Sequence, residues 1–201
     1  MRRSIRLTQL DGSLPNIALA KLAHWHRSQG DEVYFTRRIE RDLFEPAFDV
    51  VYGSAIFNFS APLIQQFRQQ WPGAIVSGSG VSPDGGITVE EVIGVPLWTY
   101  ENYDYSIYPE FTDSIGFLAR GCRLACKFCA VSNKEGRSIS VNTVADLWRG
   151  NPKNKKLHLL DNDFFGNPEW KSRLEEIKAG KFKVCFSQGI NVRLINEEQA
   201  E

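Results

Sequence analysis

Charge of one sign is missing from this sequence: 24 lysines and arginines meet 24 aspartates and glutamates in 201 residues. The cancellation excludes a chain-wide field of the kind that draws a protein onto nucleic acid or anionic lipid, leaving only local patches to consider. Long apolar runs are missing too. No stretch approaches the roughly 18 nearly uninterrupted apolar residues of a membrane span. Met1-Arg2-Arg3 leads directly into strand-like sequence and not into a signal peptide. The expectation is a cytoplasmic protein with no membrane partner. Histidine is scarce, and His24, His26 and His158 have no array of acids and histidines around them; each reads as a packed or surface side chain.

What is present is 42% hydrophobic and 24% charged, enough to bury one substantial core or two modest ones. A strand is expected around Ile5-Arg6-Leu7, then a turn at Asp11-Gly12. A helix follows from Pro15 with Ala18, Leu19, Leu22, Ala23 and Trp25 on its apolar face, closed by Gly30. Further strands are expected at 32–36, 48–52 and 74–76. A helix after Ser60 and Pro62 carries Leu63, Ile64, Phe67 and Trp71 at helical spacing. This alternation predicts a small, mainly parallel α/β sheet over residues 1–86. The glycines of Gly78-Ser79-Gly80 and Gly85-Gly86 read as turns, since no GxGxxG occurs there. The mixed charges of 37–42 read as a solvated segment.

Residues 87–113 form an aromatic-rich linker in this reading, with Trp98, Tyr100, Tyr103, Tyr105 and Tyr108 packing into a core or between domains. From Ser114 the pattern restarts: strands near 114–118, 156–161 and 182–186, and helices at 141–149 and 168–179, an order that predicts parallel βα units. The sequence stops at Glu197-Glu198-Gln199-Ala200-Glu201, where a third helix begins.

Cysteine is the most informative residue type. Of four, three fall in Cys122-Arg123-Leu124-Ala125-Cys126-Lys127-Phe128-Cys129, while Cys185 stands alone in a strand-like run and reads as a buried structural thiol. This uneven distribution favours a metal site in a reducing compartment over two disulfides. The C-x3-C-x2-C spacing lets three thiolates turn towards one iron–sulfur cluster, leaving one iron of a four-iron cluster open. A zinc site is the weaker alternative, because a fourth ligand would have to come from His158, an acid or elsewhere.

The CxxxCxxC pattern, with Phe128 before its last cysteine, resembles the radical S-adenosylmethionine (SAM) family. Arg120-Gly121-Cys122, Phe128-Cys129 and Glu135-Gly136 resemble the branch with an N-terminal cobalamin-binding-like domain. The resemblance implies an N-terminal Rossmann-like parallel sheet followed by a partial radical SAM (βα) barrel, with domains at 1–86 and 114–201. It implies that Cys122, Cys126 and Cys129 hold a [4Fe–4S] cluster. It further implies that SAM binds the open iron and that a reducing electron donor drives its cleavage to a 5′-deoxyadenosyl radical acting on an unknown substrate. Phe128 would lie against adenine. Asp161, Asn162 and Asp163 would meet the SAM amino group or else form a turn, and Ser187, Gln188 and Arg193 would meet its ribose and carboxylate or else satisfy their own loop. Which residues act in catalysis is left open.

The family's cobalt-ligating loop reads Asp-x-His-x-x-Gly, whereas this chain has Asp11-Gly12-Ser13-Leu14-Pro15-Asn16, so bound cobalamin is not expected. A complete barrel would need a missing C-terminal core or an additional chain. A truncated or non-catalytic iron–sulfur module is therefore the alternative reading.

Overall fold

The computed structural model describes residues 2–82, 86–188, 190 and 192–200. Expectations placed on Gly85, Gly189 and Asn191 lie outside the described residues. The chain divides into two compact units, Met1–Phe111 and Thr112–Glu201.

The first unit runs β1 (Ser4–Gln9), α1 (Ile17–Ser28), β2 (Glu32–Thr36), β3 (Val50–Ser54), α2 (Ala61–Gln70), β4 (Ile75–Ser77) and α3 (Val89–Ile93). Its sheet has the order β2-β1-β3-β4 with every pairing parallel, and with its flanking helices it forms a Rossmann-like α/β arrangement. Ile5 and Leu7 of the central β1 are fully buried and pack with Leu19, Ala20, Leu22 and Ala23 of α1. Asn16, and not Pro15, opens α1: its side chain accepts the Leu19 amide at 3.2 Å. On α2, Ile64 and Phe67 face inwards, and the Phe67 ring fills the space over Gly53 that a Cβ would enter at 2.5 Å.

Residues 87–111 belong to this unit and are not a linker. A capping box between Thr88 and Glu91 starts α3, and Val89, Ile107 and Tyr108 are buried in the same cluster as Ile5 and Leu7. Of the aromatics in this segment, Tyr108 is core and Tyr103 packs against that cluster, while Trp98, Tyr100 and Tyr105 are half-buried. Two aromatic rings decide this locally: Tyr108 packs edge-on to Phe35, and its hydroxyl reaches the polar end of β1.

The second unit contains β5 (Ser114–Gly116), β6 (Ala119–Arg120), α4 (Val131–Lys134), β7 (Ile139–Ser140), α5 (Val144–Leu147), β8 (Lys156–Leu159), α6 (Trp170–Gly180), β9 (Lys183–Phe186) and α7 (Glu197–Ala200). β5, β8 and β9 form a parallel sheet in that order, and β6 and β7 form a separate antiparallel ribbon. Among the described residues this sheet is an open row of three strands, without the closure that a barrel requires.

The helix expected over 141–149 is reduced to α5. Thr143 and Asp146 cap its start, but Trp148 turns extended and sets its ring edge-on to Phe182, so packing overrides helical continuation. Cys185 is exposed, contrary to its apolar setting in the sequence. β9 lies at the sheet edge, and the alternation of a strand places Cys185 and Lys183 on its exposed side, with Val184 and Phe186 on the half-buried side. Among the described residues no helix is long and apolar enough to cross a membrane.

Candidate functional site at the cysteine loop

The carboxyl ends of β5 and β8 set two loops side by side, the cysteine-bearing one after β6 and the Asp161-Asn162-Asp163 one after β8. Asp161, 3% exposed, accepts the Leu118 amide on Oδ1 at 2.9 Å and the Ala119 amide on Oδ2 at 3.0 Å. Its carboxylate thereby ties the start of the cysteine loop to β8. Burial pushes its pKa up to about 7, against the two amide bonds and the nearby Arg120, which favour the charged form.

Glu135 closes the neck of the loop. Its Oε1 pairs with Arg120 Nη2 at 3.0 Å, while Oε2 accepts from the Gly121 amide at 2.9 Å and from Asn162 Nδ2 at 3.1 Å. Gly121 is required there: its φ is +80°, and a Cβ would lie 2.4 Å from the Arg137 carbonyl oxygen. The Cys122 amide then donates to the Gly136 carbonyl at 3.2 Å, so both ends of the loop are held by backbone and side chain together.

Within the loop the three thiols have different surroundings. Cys122 Sγ accepts the Leu124 amide at 3.4 Å and lies 3.8 Å from Asp163 Oδ2, to which its S–H donates. Asp163 also accepts the Arg123 amide at 3.2 Å and pairs with Arg123 Nε at 3.0 Å. Burial pushes the Cys122 thiol pKa up, and Asp163 and Cys129 add to the rise while the Leu124 amide opposes it. Cys126 and Cys129 are the two ends of a hydrogen-bonded turn, with the Cys129 amide donating to the Cys126 carbonyl at 3.0 Å. All three are half-buried free thiols, and Phe128, inside the turn, is 92% exposed.

The remaining sequence-predicted positions are dispersed. The Ser187 amide continues the β9–β8 ladder by donating to the Leu159 carbonyl at 2.9 Å, and the side chains of Ser187, Gln188 and Arg193 are exposed. In the first unit, Asp11 is engaged by the Ile56 and Phe57 amides and the Ser60 hydroxyl. Gly78 and Gly80 allow two backbones to meet, since a Cβ on either would lie within 2.1 Å of the Ala55 oxygen or 2.4 Å of the Phe57 oxygen. The histidines have structural partners: His24 with Tyr100, His26 with Asp31 and Tyr52, and His158 with Asp113. Glu135 is the residue whose part the sequence did not disclose. Its only signal there was a Glu-Gly pair thirteen positions beyond Cys122.

No protein-family model matches the chain, and neither the curated proteins nor the solved structures searched include a match. Among the described residues, no three His, Cys, Asp or Glu side chains form a group that could hold a metal ion. These findings overturn the radical SAM identity and, with it, the [4Fe–4S] cluster, the iron–sulfur module, the zinc alternative, and SAM and an electron donor as partners. The reason lies in the loop. There Cys122 is hydrogen-bonded to Asp163 and the Leu124 amide and Cys126 and Cys129 close a turn of their own, and among the described residues this arrangement is not a group that could hold a metal ion.

Proposed function

We propose that the second unit is a thiol–disulfide exchange module whose working pair is Cys126 and Cys129. The observation that carries this reading is the turn joining them, closed by the 3.0 Å hydrogen bond between the Cys129 amide and the Cys126 carbonyl. A turn of this kind holds its first and fourth Cα atoms within about 7 Å. A disulfide spans Cα atoms about 4.4–6.8 Å apart, so the backbone already has the reach of the oxidised form. Cys122 is set aside by chemistry. Exchange needs a thiolate, and the Asp163 carboxylate at 3.8 Å favours the protonated thiol there.

The test is equilibration of the reduced chain in glutathione buffers of graded ratio, followed by acid quench, alkylation and peptide mapping. The expected product is a Cys126–Cys129 disulfide, with Cys122 recovered as an alkylated thiol and the exposed Cys185 carrying at most a single glutathione. In Cys126→Ser or Cys129→Ser, the remaining cysteine should stop at a mixed disulfide with glutathione. Failure of the intramolecular bond to form at any ratio, in protein that retains its circular dichroism spectrum, would reject the proposal.

A further inference from the structure

We infer that the dithiol takes anionic disulfides as its substrates, an inference that rests on the exchange reading above. The chain as a whole is neutral, but residues 120–137 carry five basic side chains, Arg120, Arg123, Lys127, Lys134 and Arg137, against one acid, Glu135. Two of these bases, Arg120 and Arg123, are paired with acids of the site, so the excess rests on the others. Glu135 is bound to Arg120 and the loop neck, Asp163 to Arg123, and Asp161 is buried on the Leu118 and Ala119 amides. Lys127 stands between the two cysteines and is exposed, as is Arg137 at the neck. A disulfide approaching the pair therefore meets positive charge next to the sulfurs and negative charge that is already neutralised or buried.

In the reaction, one thiolate of the pair attacks a sulfur of the incoming disulfide, forming a mixed disulfide and releasing one thiolate of the substrate. The second cysteine thiolate then attacks the mixed bond at the protein sulfur, closing Cys126–Cys129 and releasing the other half. Two electrons pass from the dithiol to the substrate disulfide, and the two protons lost by the cysteines end on the released thiolates. Negative charge builds on the departing groups, which adds to the preference for a cationic setting.

The experiment compares three small disulfides of similar size: dithiodiglycolate, bearing carboxylates; 2-hydroxyethyl disulfide, which is neutral; and cystamine, bearing ammonium groups. Each rate of Cys126–Cys129 formation is divided by the rate of the same reagent with dithiothreitol, which removes intrinsic reactivity. The normalised rates should fall in that order, with about a tenfold span between first and last at low ionic strength. The span should collapse in 1 M salt, where the screening length is about 3 Å. Lys127→Glu should reduce the carboxylate-to-ammonium ratio by about threefold or more. Equal normalised rates, or a ratio that neither salt nor Lys127→Glu changes, would overturn the inference while leaving the exchange reading in place. Oxidation by none of the three would overturn the exchange reading, and this inference with it.

Discussion

Tyr108 donates its hydroxyl to Gln9 Oε1 at 2.8 Å, joining the end of β1 to a residue 99 positions further along the chain. The same oxygen accepts the Asn16 amide at 3.0 Å, just before α1. Tyr108→Phe removes one atom and leaves a buried amide and a buried side-chain carbonyl without this partner. The expected loss is about 1–3 kcal/mol of first-unit stability, read as a lower urea midpoint. An unchanged midpoint would show that the hydroxyl is dispensable and that the segment is held by its rings alone.

Glu135 and Arg120 form an ion pair with both side chains less than a tenth exposed. Glu135→Ala withdraws the carboxylate that serves Arg120, Gly121 and Asn162 together. About 3 kcal/mol should be lost, with faster hydrogen exchange at the Gly121 and Cys122 amides. Protection equal to that of the parent chain would mean that the β6–β7 ribbon fixes the neck without it.

Asp161 provides a pH test. Its folded-state pKa of about 7 lies above the ordinary 3.8, so between these values the folded chain retains a proton that the unfolded chain has released. Its stabilising contribution is complete below about pH 4, declines as pH rises to about 7 and is constant beyond that. The whole decline is at most roughly 4 kcal/mol. Asp161→Asn should flatten the slope of unfolding free energy over this window, at a fixed cost from the amide it no longer accepts. Equal slopes in the two proteins would place the titration elsewhere.

Metal content tests the correction at the cysteine loop. Chain produced in cells supplied with iron and zinc, and purified without oxygen, is expected to hold neither metal in stoichiometric amount. Elemental analysis of the parent and Cys126→Ser would settle it, since a full equivalent of metal that disappears in the variant would reverse the correction.

The legible parts of this fold are those governed by local pattern. β2 falls where alternation places it, at 32–36. On α1 and α2 helical spacing selects the buried Leu19, Leu22, Ala23, Ile64 and Phe67, because burial of one face is what forms such elements, but it also selects Leu63, which is exposed. Trp148 and Tyr108 escaped that logic because each is placed by a partner distant in sequence, Phe182 for one and Gln9 for the other.

The candidate site was legible as a location and not as a chemistry. Three cysteines in eight residues mark a loop that matters, yet their spacing is the same whether the sulfurs converge or separate. Asp163, some 40 residues away, accepts a hydrogen bond from Cys122, and nothing in a linear pattern of cysteines reports where that carboxylate will stand. The C-x-x-C pair was contained in the longer motif throughout. It becomes prominent only when the turn between its members is known.

The hydrogen bonds that close the neck run between Arg120, Gly121 and Cys122 on one side and Glu135 and Gly136 on the other, and the Glu135 amide is held in turn by the Val131 carbonyl. The frame is thus separable from most of what it displays, in the manner of a socket. A different insert of comparable length could be grafted between the same two ends, and the parallel sheet below would not have to be rethreaded to receive it.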